Sequence, residues 1–243
     1  MFSEKLFIRL RNASSIAVLT GAGISAESGV PTFRGKDGIW NDKKVEELAT
    51  VDTLQKDPDQ FWQFYNDRRA KLKQVKPNLG HFALVDIERH FEDFTVITQN
   101  IDDLHHQAGT KNLIELHGNI YRDRCTACGS LQTPGEGEHK CRKCGEPVRP
   151  DVVLYGENLD EQNLRKAQEA ASVCEVFFSI GTSSVVEPAA SLPYLAKANG
   201  AYIVEINTEE TPLSIHANES LREATGKILP QIAILIDKIF MRR

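Results

Sequence analysis

Four cysteines form the most chemically specific pattern in this chain of 243 residues. They make two Cys-x-x-Cys pairs, Cys125 with Cys128 and Cys141 with Cys144, and twelve residues separate the pairs. Two such pairs can place four thiolates around one point, which is the tetrahedral geometry of a structural zinc site. A closed tetrahedron leaves no position for water, so we expect one Zn²⁺ that holds structure and performs no chemistry. His139 is an alternative ligand, although four thiolates already complete the set.

His117, eight residues before the first cysteine, is a candidate for catalysis. Its ordinary pKa of about 6.5 suits a general base at neutral pH. The same holds for the other histidines of the chain, which has seven. A histidine that follows the apolar step at 113–116 could equally be a core or surface residue. From the residues alone, both interpretations stay open.

A glycine-rich turn follows an apolar run near the N-terminus. It reads Gly21-Ala22-Gly23-Ile24-Ser25-Ala26 and fits the dinucleotide fingerprint, in which the third glycine can be alanine. The glycines permit a tight turn and a close approach to a pyrophosphate, whose charge a helix N-terminus favours. A turn of this kind can also need glycine for geometry alone. The acid expected about twenty residues later is not at a strand end, since Asp37 and Asp42 lie in a glycine-bearing loop. A hydride-transfer dehydrogenase is therefore disfavoured.

Two further polar segments follow predicted strands, where ligands bind in open α/β sheets. They are Thr98-Gln99-Asn100-Ile101-Asp102 and Gly181-Thr182-Ser183-Ser184. Their side chains can hold hydroxyls, an amide or a phosphate. The alternatives are that Asn100 or Asp102 caps a helix and that the second segment is an ordinary turn. In the loop at 28–35, Phe33 and Arg34 could cover a ligand, or the loop could simply lie on the surface.

The apolar pattern predicts the elements that position these residues. Short apolar runs predict strands at 16–20, 94–98, 152–155, 176–181 and 201–207. Helical patterns occupy 1–12, 79–91, 161–173, 188–199 and 229–241. Strands that alternate with helices predict an α/β fold with a Rossmann-like parallel sheet and helices on both faces.

Two insertions interrupt this alternation and predict a second, smaller domain. One is the helical stretch 35–76, and the other is the cysteine-bearing stretch 121–149, which is too short to fold without its metal. We therefore expect a Rossmann-like domain from residues 1–34, 77–120 and 150–243. The insertions would form a zinc-ribbon and helical domain.

Composition excludes several classes of protein. The net charge of −5 and the pI of about 5.8 provide no basic surface for nucleic acid. The N-terminus does not read as a signal peptide, and no apolar run is long enough to span a bilayer. Four cysteines used for metal fit a reducing compartment, so we expect a cytoplasmic protein that contacts no membrane. Cys174 lies among valines and is expected to be a small buried hydrophobe.

Taken together, the segments resemble the sirtuins, a family of NAD-dependent protein lysine deacylases. The resemblance is carried by GAGISAESGVPTFRG at 21–35, PNLGHFAL at 77–84, TQNIDDLHHQAG at 98–109, ELHGN at 115–119 and both cysteine pairs. It continues through RPDVVLYGENL at 149–159, GTSSVVEPAA at 181–190 and EINTEETP at 205–212. These motifs follow the family's order along nearly the whole chain.

The resemblance implies an NAD site in the cleft between the two domains. The implied contacts to the phosphates and the covering loop are Gly21, Ala22, Gly23, Phe33, Arg34 and Trp40. Those to the nicotinamide and its ribose are Gln99, Asn100, Ile101 and Asp102. Those to the adenosine half are Gly181, Thr182, Ser183, Asn207 and Ala224.

The resemblance also implies the reaction. His117 would be the general base, and acyl-lysine of a protein or peptide would lie between Val152-Val153 and 184–188, beside Tyr155. The acyl oxygen would capture the ribose carbon that nicotinamide leaves. The products would be free lysine, nicotinamide and O-acyl-ADP-ribose.

One helical segment bears on the acyl group. Tyr65 and Arg68 are three residues apart and share a helix face. They resemble the Tyr-x-x-Arg pair of the sirtuin branch that removes succinyl, malonyl and glutaryl groups, whose carboxylate an arginine can hold. Ala49 matches a small residue of that branch. The alternative is that Arg68 is a solvated helix residue, like Arg69 and Lys71.

The sequence leaves two rival functions open. Transfer of ADP-ribose to protein shares the first chemical step with deacylation. The other alternative is a non-catalytic module that binds NAD and zinc. The presence of His117 and of the complete set at 99–102 argues against it. One departure from the family is Glu187, at a position that is often aromatic in relatives and could alter peptide preference.

Overall fold

The structure is a computed structural model that describes residues 2–32, 43–135 and 139–241. The predicted cofactor contacts Phe33, Arg34 and Trp40 therefore lie outside the described residues.

Within the described part of the chain there are ten α-helices and nine strands. The helices are α1 (Glu4–Asn12), α2 (Ala22–Ser25), α3 (Lys43–Leu48), α4 (Val51–Lys56), α5 (Pro58–Leu72), α6 (Leu79–Glu88), α7 (Leu104–Ala108), α8 (Glu161–Val173), α9 (Leu192–Ala198) and α10 (Thr225–Phe240). The strands are β1 (Ser15–Thr20), β2 (Asp93–Thr98), β3 (Leu113–Glu115), β4 (Gly118–Cys125), β5 (Leu131–Gln132), β6 (Val148–Val152), β7 (Val176–Ile180), β8 (Tyr202–Ile206) and β9 (Glu219–Leu221).

Six strands form one parallel sheet in the order β3-β2-β1-β7-β8-β9. From β1 the chain first adds strands on one side, β2 and β3, and later on the other side, β7, β8 and β9. The strand order therefore reverses between β1 and β7. In doubly wound sheets the carboxyl ends of the strands at this switch point are where ligands bind.

The predicted α/β class is confirmed by the way the strands bury alternate residues on opposite faces. Ile16 and Val18 of β1 join a core with α1, α6 and α10. Ala17 and Leu19 join a second core with α8 and α9. Helices thus cover both faces of the sheet, as the alternation of strands and helices predicts.

A second, antiparallel sheet has the order β5-β4-β6 and carries the cysteine pairs at its end. It packs with α5 around a third core that includes Phe61, Trp62, Cys125 and Cys141. This sheet runs from Gly118 to Val152, so it crosses both predicted junctions, at 120/121 and 149/150. The division into domains stays a prediction.

The prediction of a strand at 152–155 within the parallel sheet is wrong. Val152 ends β6 of the antiparallel sheet, and the next residues leave it. Val153 donates its N–H to the His117 carbonyl at 3.0 Å, and Tyr155 donates to the Ala49 carbonyl at 2.9 Å. The run is apolar because Val152 and Leu154 belong to the core shared with α5.

Smaller differences have local causes. The short edge strands β3 and β9, of three residues each, were not predicted, since so few residues show no alternation. The helix after the glycine turn is a single turn, α2, which continues as a 3-10 turn at Ala26–Ser28. Cys174 is buried, as predicted. Among the described residues, no helix has the length and apolar character needed to cross a bilayer.

Candidate functional site

A cavity of about 810 Å³ lies where four strands of the parallel sheet end and faces α5 and the residues after β6. It collects most of the described residues that the sequence analysis singled out. They are Gly21, Ala22, Gly23, Tyr65, Arg68, Gln99, Asn100, Ile101, His117, Val152, Val153, Tyr155, Gly181, Thr182, Ser183, Asn207 and Ala224. Residues far apart in sequence therefore line one space.

The glycines of the first turn are needed for a contact between two strand ends. A Cβ on Gly23 would lie 2.6 Å from the Gly181 Cα, and one on Gly21 would lie 2.8 Å from the Gly181 carbonyl oxygen. Gly181 itself has φ of +59°, where glycine is favoured. The Gly23 N–H donates to the Gly181 carbonyl at 2.9 Å. The loops after β1 and β7 thus touch backbone to backbone at the switch point.

The loop after β2 is tied to this pair of loops by Asn100. Its side-chain amide donates to the Gly21 carbonyl at 3.0 Å and to Ser25 Oγ at 3.2 Å. The N–H of Gln99 donates to the Thr20 carbonyl at 3.0 Å. These bonds fix the backbone of the loop while the Gln99 side chain lines the cavity.

Asp102 is placed behind the cavity wall and is not among its lining residues. It is buried, and its carboxylate accepts from Ser25 Oγ at 2.7 Å and from the Leu104 N–H at 3.0 Å. Burial raises the pKa of this carboxyl, and the two hydrogen bonds oppose that shift. The second bond satisfies the first N–H of α7, but the N-cap residue of this helix is Asp103 and not Asp102.

The loops after β7 and β8 are joined by Asn207. Its amide donates to the Thr182 carbonyl at 2.8 Å, and its side-chain oxygen accepts from the Glu209 N–H at 3.3 Å. Thr182 Oγ1 lies 3.0 Å from Ser184 Oγ. Small hydroxyls and backbone amides thus line this end of the cavity.

His117 lies at the turn between β3 and β4 with its ring fixed in one tautomer. Nδ1 is 2.9 Å from the Gln99 carbonyl oxygen, which can only accept, so Nδ1 carries the hydrogen of the neutral ring. Nε2 then has the free lone pair. Burial lowers the pKa of His117, and the bond to Gln99 opposes this shift. The ring is therefore neutral and basic at neutral pH.

Tyr65 and Arg68 bring α5 to the opposite wall. Tyr65 is buried, and burial raises the pKa of its phenol. The Arg68 guanidinium lies 5.4 Å from the centre of the Phe64 ring. Burial lowers the pKa of Arg68, and Tyr65 and Tyr155 oppose this shift. Among the described lining residues, Arg68 is the one Lys or Arg side chain.

Ala49, Val152, Val153 and Tyr155 complete this wall. Ala49 is buried and lines the same cavity as Tyr65 and Arg68. The backbone bonds of Val153 and Tyr155 described above hold the segment against both the His117 turn and Ala49.

The four cysteines form a cluster that fits a structural zinc. Their sulfur atoms all lie within 4.8 Å of one another, and three pairs are 3.5, 3.6 and 3.8 Å apart. Zinc–sulfur bonds of about 2.3 Å in a tetrahedron require sulfur–sulfur edges of about 3.8 Å. His139 stacks on Trp62 instead, with ring centres 3.5 Å apart and 4° between the planes.

Sequence reasoning missed part of the lining. Glu27 accepts hydrogen bonds from Thr225 and Gly226 at the start of α10. Glu157 is held by both terminal nitrogens of Arg149, at 2.5 and 2.7 Å. Thr32, Val45, Leu159, Thr208, Glu209, Glu210, Thr211, Pro212, Glu223 and Thr225 also line the cavity. No spacing marks these residues, because each is placed by tertiary contacts.

Comparison with known proteins decides the family, since the model of the Sir2 family matches residues 21–188. The chain belongs to the Sir2 family. This confirms the resemblance to the sirtuins, because the matched segment includes both cysteine pairs and the His117 turn. Within the family, the NAD-dependent protein deacylase of Pyrococcus furiosus is 45% identical, over 98% of this chain and 99% of that protein. The NAD-dependent protein deacylase of Aquifex aeolicus is 47% identical, over 90% and 93%.

Solved Sir2 structures share the fold. A variant of a Sir2 homologue in complex with ADP-ribose has a TM-score of 0.94 and 41% identity, over 100% of this chain and 99% of that chain. A Sir2 variant with a deacetylated p53 peptide and 3′-O-acetyl ADP-ribose has a TM-score of 0.84 and 32% identity, over 98% of each chain.

Proposed function

We propose that this protein is an NAD-dependent protein lysine deacylase that converts acyl-lysine and NAD to lysine, nicotinamide and O-acyl-ADP-ribose. The observation that carries the proposal is the place of His117. Its basic Nε2 belongs to a half-buried ring on the same cavity as the switch-point loops after β1 and β7. The names of the relatives and the ligands of the solved Sir2 structures support it.

NAD, when bound, supplies an electrophilic ribose carbon from which nicotinamide departs. The residues of this chain bind, orient and move a proton. Thr182 and Ser183 would hold the diphosphate and adenosine half with their hydroxyls, and Gly21, Ala22 and Gly181 would let the backbone approach it closely. Gln99–Ile101 would hold the nicotinamide end. His117 Nε2 would take the proton of a ribose hydroxyl, since it is the atom left with a lone pair.

The substrate is proposed to be a protein or peptide that carries acyl-lysine. β6 lies at the edge of the antiparallel sheet, so the side of its backbone that faces away from β4 would pair with an extended peptide at 152–153. Residues 184–188 would form the other side, where Glu187 is exposed on the cavity rim. We place the reaction in a reducing compartment, the cytoplasm, because all described cysteines are free and four converge as metal ligands.

We further propose that the enzyme removes succinyl and malonyl groups in addition to acetyl. Arg68 is the one arginine or lysine among the described lining residues. Several glutamates also line the cavity, so a carboxylate has one positively charged side chain there to bind. A carboxylate at the end of the acyl chain would therefore be attracted to Arg68 and to the Tyr65 hydroxyl. Acetyl-lysine has no group that could use this pair.

Mass spectrometry of acylated peptides with NAD tests the main proposal. We expect loss of the acyl mass and release of nicotinamide by the wild type. His117→Asn should lower kcat by at least about a hundredfold, since general-base catalysis contributes this much. His106→Asn is the matched control, because His106 lies exposed on α7. A peptide that instead gains ADP-ribose would indicate transfer, and an unchanged peptide with no free nicotinamide would refute the proposal.

Arg68→Met tests the acyl preference. The loss of a buried charge partner should cost about 2–5 kcal/mol of the transition-state stabilisation that kcat/KM for succinyl-lysine measures, and deacetylation should change little. Arg165→Met, an exposed arginine of α8, is the control. Equal losses on succinyl and acetyl forms of the same peptide would contradict the role of Arg68.

A further inference from the structure

Helix α5 presents two different faces. Phe61, Tyr65 and Arg68 lie within about 60° of one another around the helix axis, and Tyr65 and Arg68 line the cavity. Trp62 and Arg69 are seven residues apart and share another face, about 80–100° away from Phe61. That second face packs on the antiparallel sheet and on the cysteine-bearing module.

Arg69 is buried on this second face, so the interpretation of Arg69 as a solvated helix residue is wrong. Its side chain is 8% exposed and that of Asp123, on β4, is 3% exposed. Arg69 Nη2 lies 2.5 Å from Asp123 Oδ1, and Nε donates to the Ile120 carbonyl at 2.8 Å. Both partners belong to the strand that ends at the first cysteine.

Two aromatic contacts extend this arrangement. The Arg69 guanidinium lies 5.7 Å from the centre of the Trp62 ring, and Trp62 stacks on His139. Arg69, Asp123, Trp62 and His139 are named here the α5 clamp. The clamp joins one face of the helix to β4, which ends at Cys125, and to His139, which lies two residues before Cys141.

The clamp is better suited to set position than to add stability. A buried ion pair contributes about as much to the free energy of unfolding as well-packed apolar residues of similar size would. Hydrogen bonds differ from apolar contacts because they fix direction. A turn of α5 by about 20° about its axis would move side-chain tips by about 2 Å, given a radius of about 6 Å with side chains. That displacement is enough to break a bidentate bond to a carboxylate.

We infer that the α5 clamp is a positioning device for the acyl pocket: Arg69 and Asp123 set the rotation of α5 and thereby the place of Tyr65 and Arg68 on the cavity wall. The inference rests on the proposed recognition of an acyl carboxylate by these two side chains. It makes Arg69, which does not touch the cavity, a determinant of which acyl groups are removed.

The experiment compares the wild type with Arg69→Lys, Arg69→Met and the double variant Arg69→Met/Asp123→Leu. The double variant removes both charges, so its melting temperature and one zinc per chain should be kept. We expect kcat/KM for succinyl-lysine to fall about ten- to a hundredfold, mainly through KM, since a displacement of even about 1 Å can cost about a hundredfold. Acetyl-lysine activity and KM for NAD should stay within about twofold of the wild type, which is the variation expected when a substitution does not affect a site. Arg69→Lys should be intermediate, and Arg165→Met is the neutral control.

Two outcomes overturn the inference. The double variant could keep the wild-type ratio of succinyl to acetyl activity, or it could lose both activities equally with a lower melting temperature. If the methionine variants do not fold, the same ratio is read from Arg69→Lys. A wild type without activity on succinyl-lysine would refute the proposed acyl preference itself, and the inference with it. That failure is visible before any variant is measured.

Discussion

The two walls of the cavity are held by different interactions. On the sheet side, the ends of β1 and β7 meet backbone to backbone, and Asn100 and Asn207 tie the neighbouring loops to them with hydrogen bonds. On the α5 side, the wall rests on the cysteine cluster, on the clamp and on a small core.

This difference separates what must stay constant from what can vary. A Cβ on Gly21 or Gly23 would lie less than 3 Å from the backbone of Gly181, so neither position accepts a side chain. The shape of the sheet-side wall is therefore tightly constrained. It suits the part of the reaction that uses NAD, which is the same for every acyl group. The α5 wall is made of side chains such as Ala49, Tyr65 and Arg68, and each could be exchanged without moving a strand. It suits the proposed recognition of the acyl group.

Removal of the metal should have the largest effect, because it should unfold one wall and leave the other folded. Structural zinc contributes about 10 kcal/mol or more to the folding of small modules. The third core is small and includes Cys125 and Cys141 themselves, so chelation should unfold α5 together with 118–152. Hydrogen exchange should show loss of protection there, while β1, β2, β7 and β8 stay protected by their own two cores.

Deacylation should be lost with the metal and should return when zinc is restored. Uniform exchange across both sheets after chelation would contradict the separation of the two walls. Full activity of metal-free protein would show that the α5 wall needs no cysteine cluster.

Gly23→Ala should damage the other wall. The new Cβ would lie 2.6 Å from the Gly181 Cα, and no side-chain rotation can relieve a clash with backbone. We expect a loss of about 3–4 kcal/mol in the free energy of unfolding, near the upper end for single substitutions. Urea unfolding measures it. Gly135→Ala is the matched control, because its Cβ would meet only a flexible Arg142 nitrogen at 3.5 Å. Equal stability of both variants would show that the strand ends can separate.

The sheet-side wall could be predicted from sequence because its signals are local. Each strand that matters is an apolar run of five or six residues, and its cavity-lining residues follow directly at the strand end, as after Thr98 and Ile180. Parallel pairing then brings those ends to one edge. Even so, the physical reason for Gly23 is its contact with Gly181, some 160 residues away, which no local pattern contains.

The α5 wall was harder to predict. Arg68 and Arg69 are identical residue types side by side, and only the partner on β4 decides that one is buried against Asp123. The apolar run at 152–155 imitates a strand of the parallel sheet, although its burial comes from the core shared with α5. Glu27 and Glu157 gain their places from bonds to α10 and Arg149. Interactions between distant segments set these features, and composition does not encode them locally.

Acid should weaken the sheet-side wall by a smaller amount. His81 is fully buried on α6, and burial lowers its pKa to about 4. An unfolded histidine has a pKa of about 6.5, so the unfolded chain takes up the proton first as pH falls. Stability is therefore lost between about pH 6.5 and about pH 4, by about 2 kcal/mol at pH 5. The neighbouring His105 adds in the same direction, since burial also lowers its pKa.

His81→Gln isolates this contribution, because glutamine does not titrate and can still accept from the backbone near Asn78. In urea unfolding at several pH values with zinc present, the variant should show a shallower loss of stability on the acid side. His106→Gln changes an exposed histidine, 75% accessible, and should keep the wild-type slope. If His81→Gln and wild type lose stability in parallel, His81 does not set the acid sensitivity of the sheet-side wall.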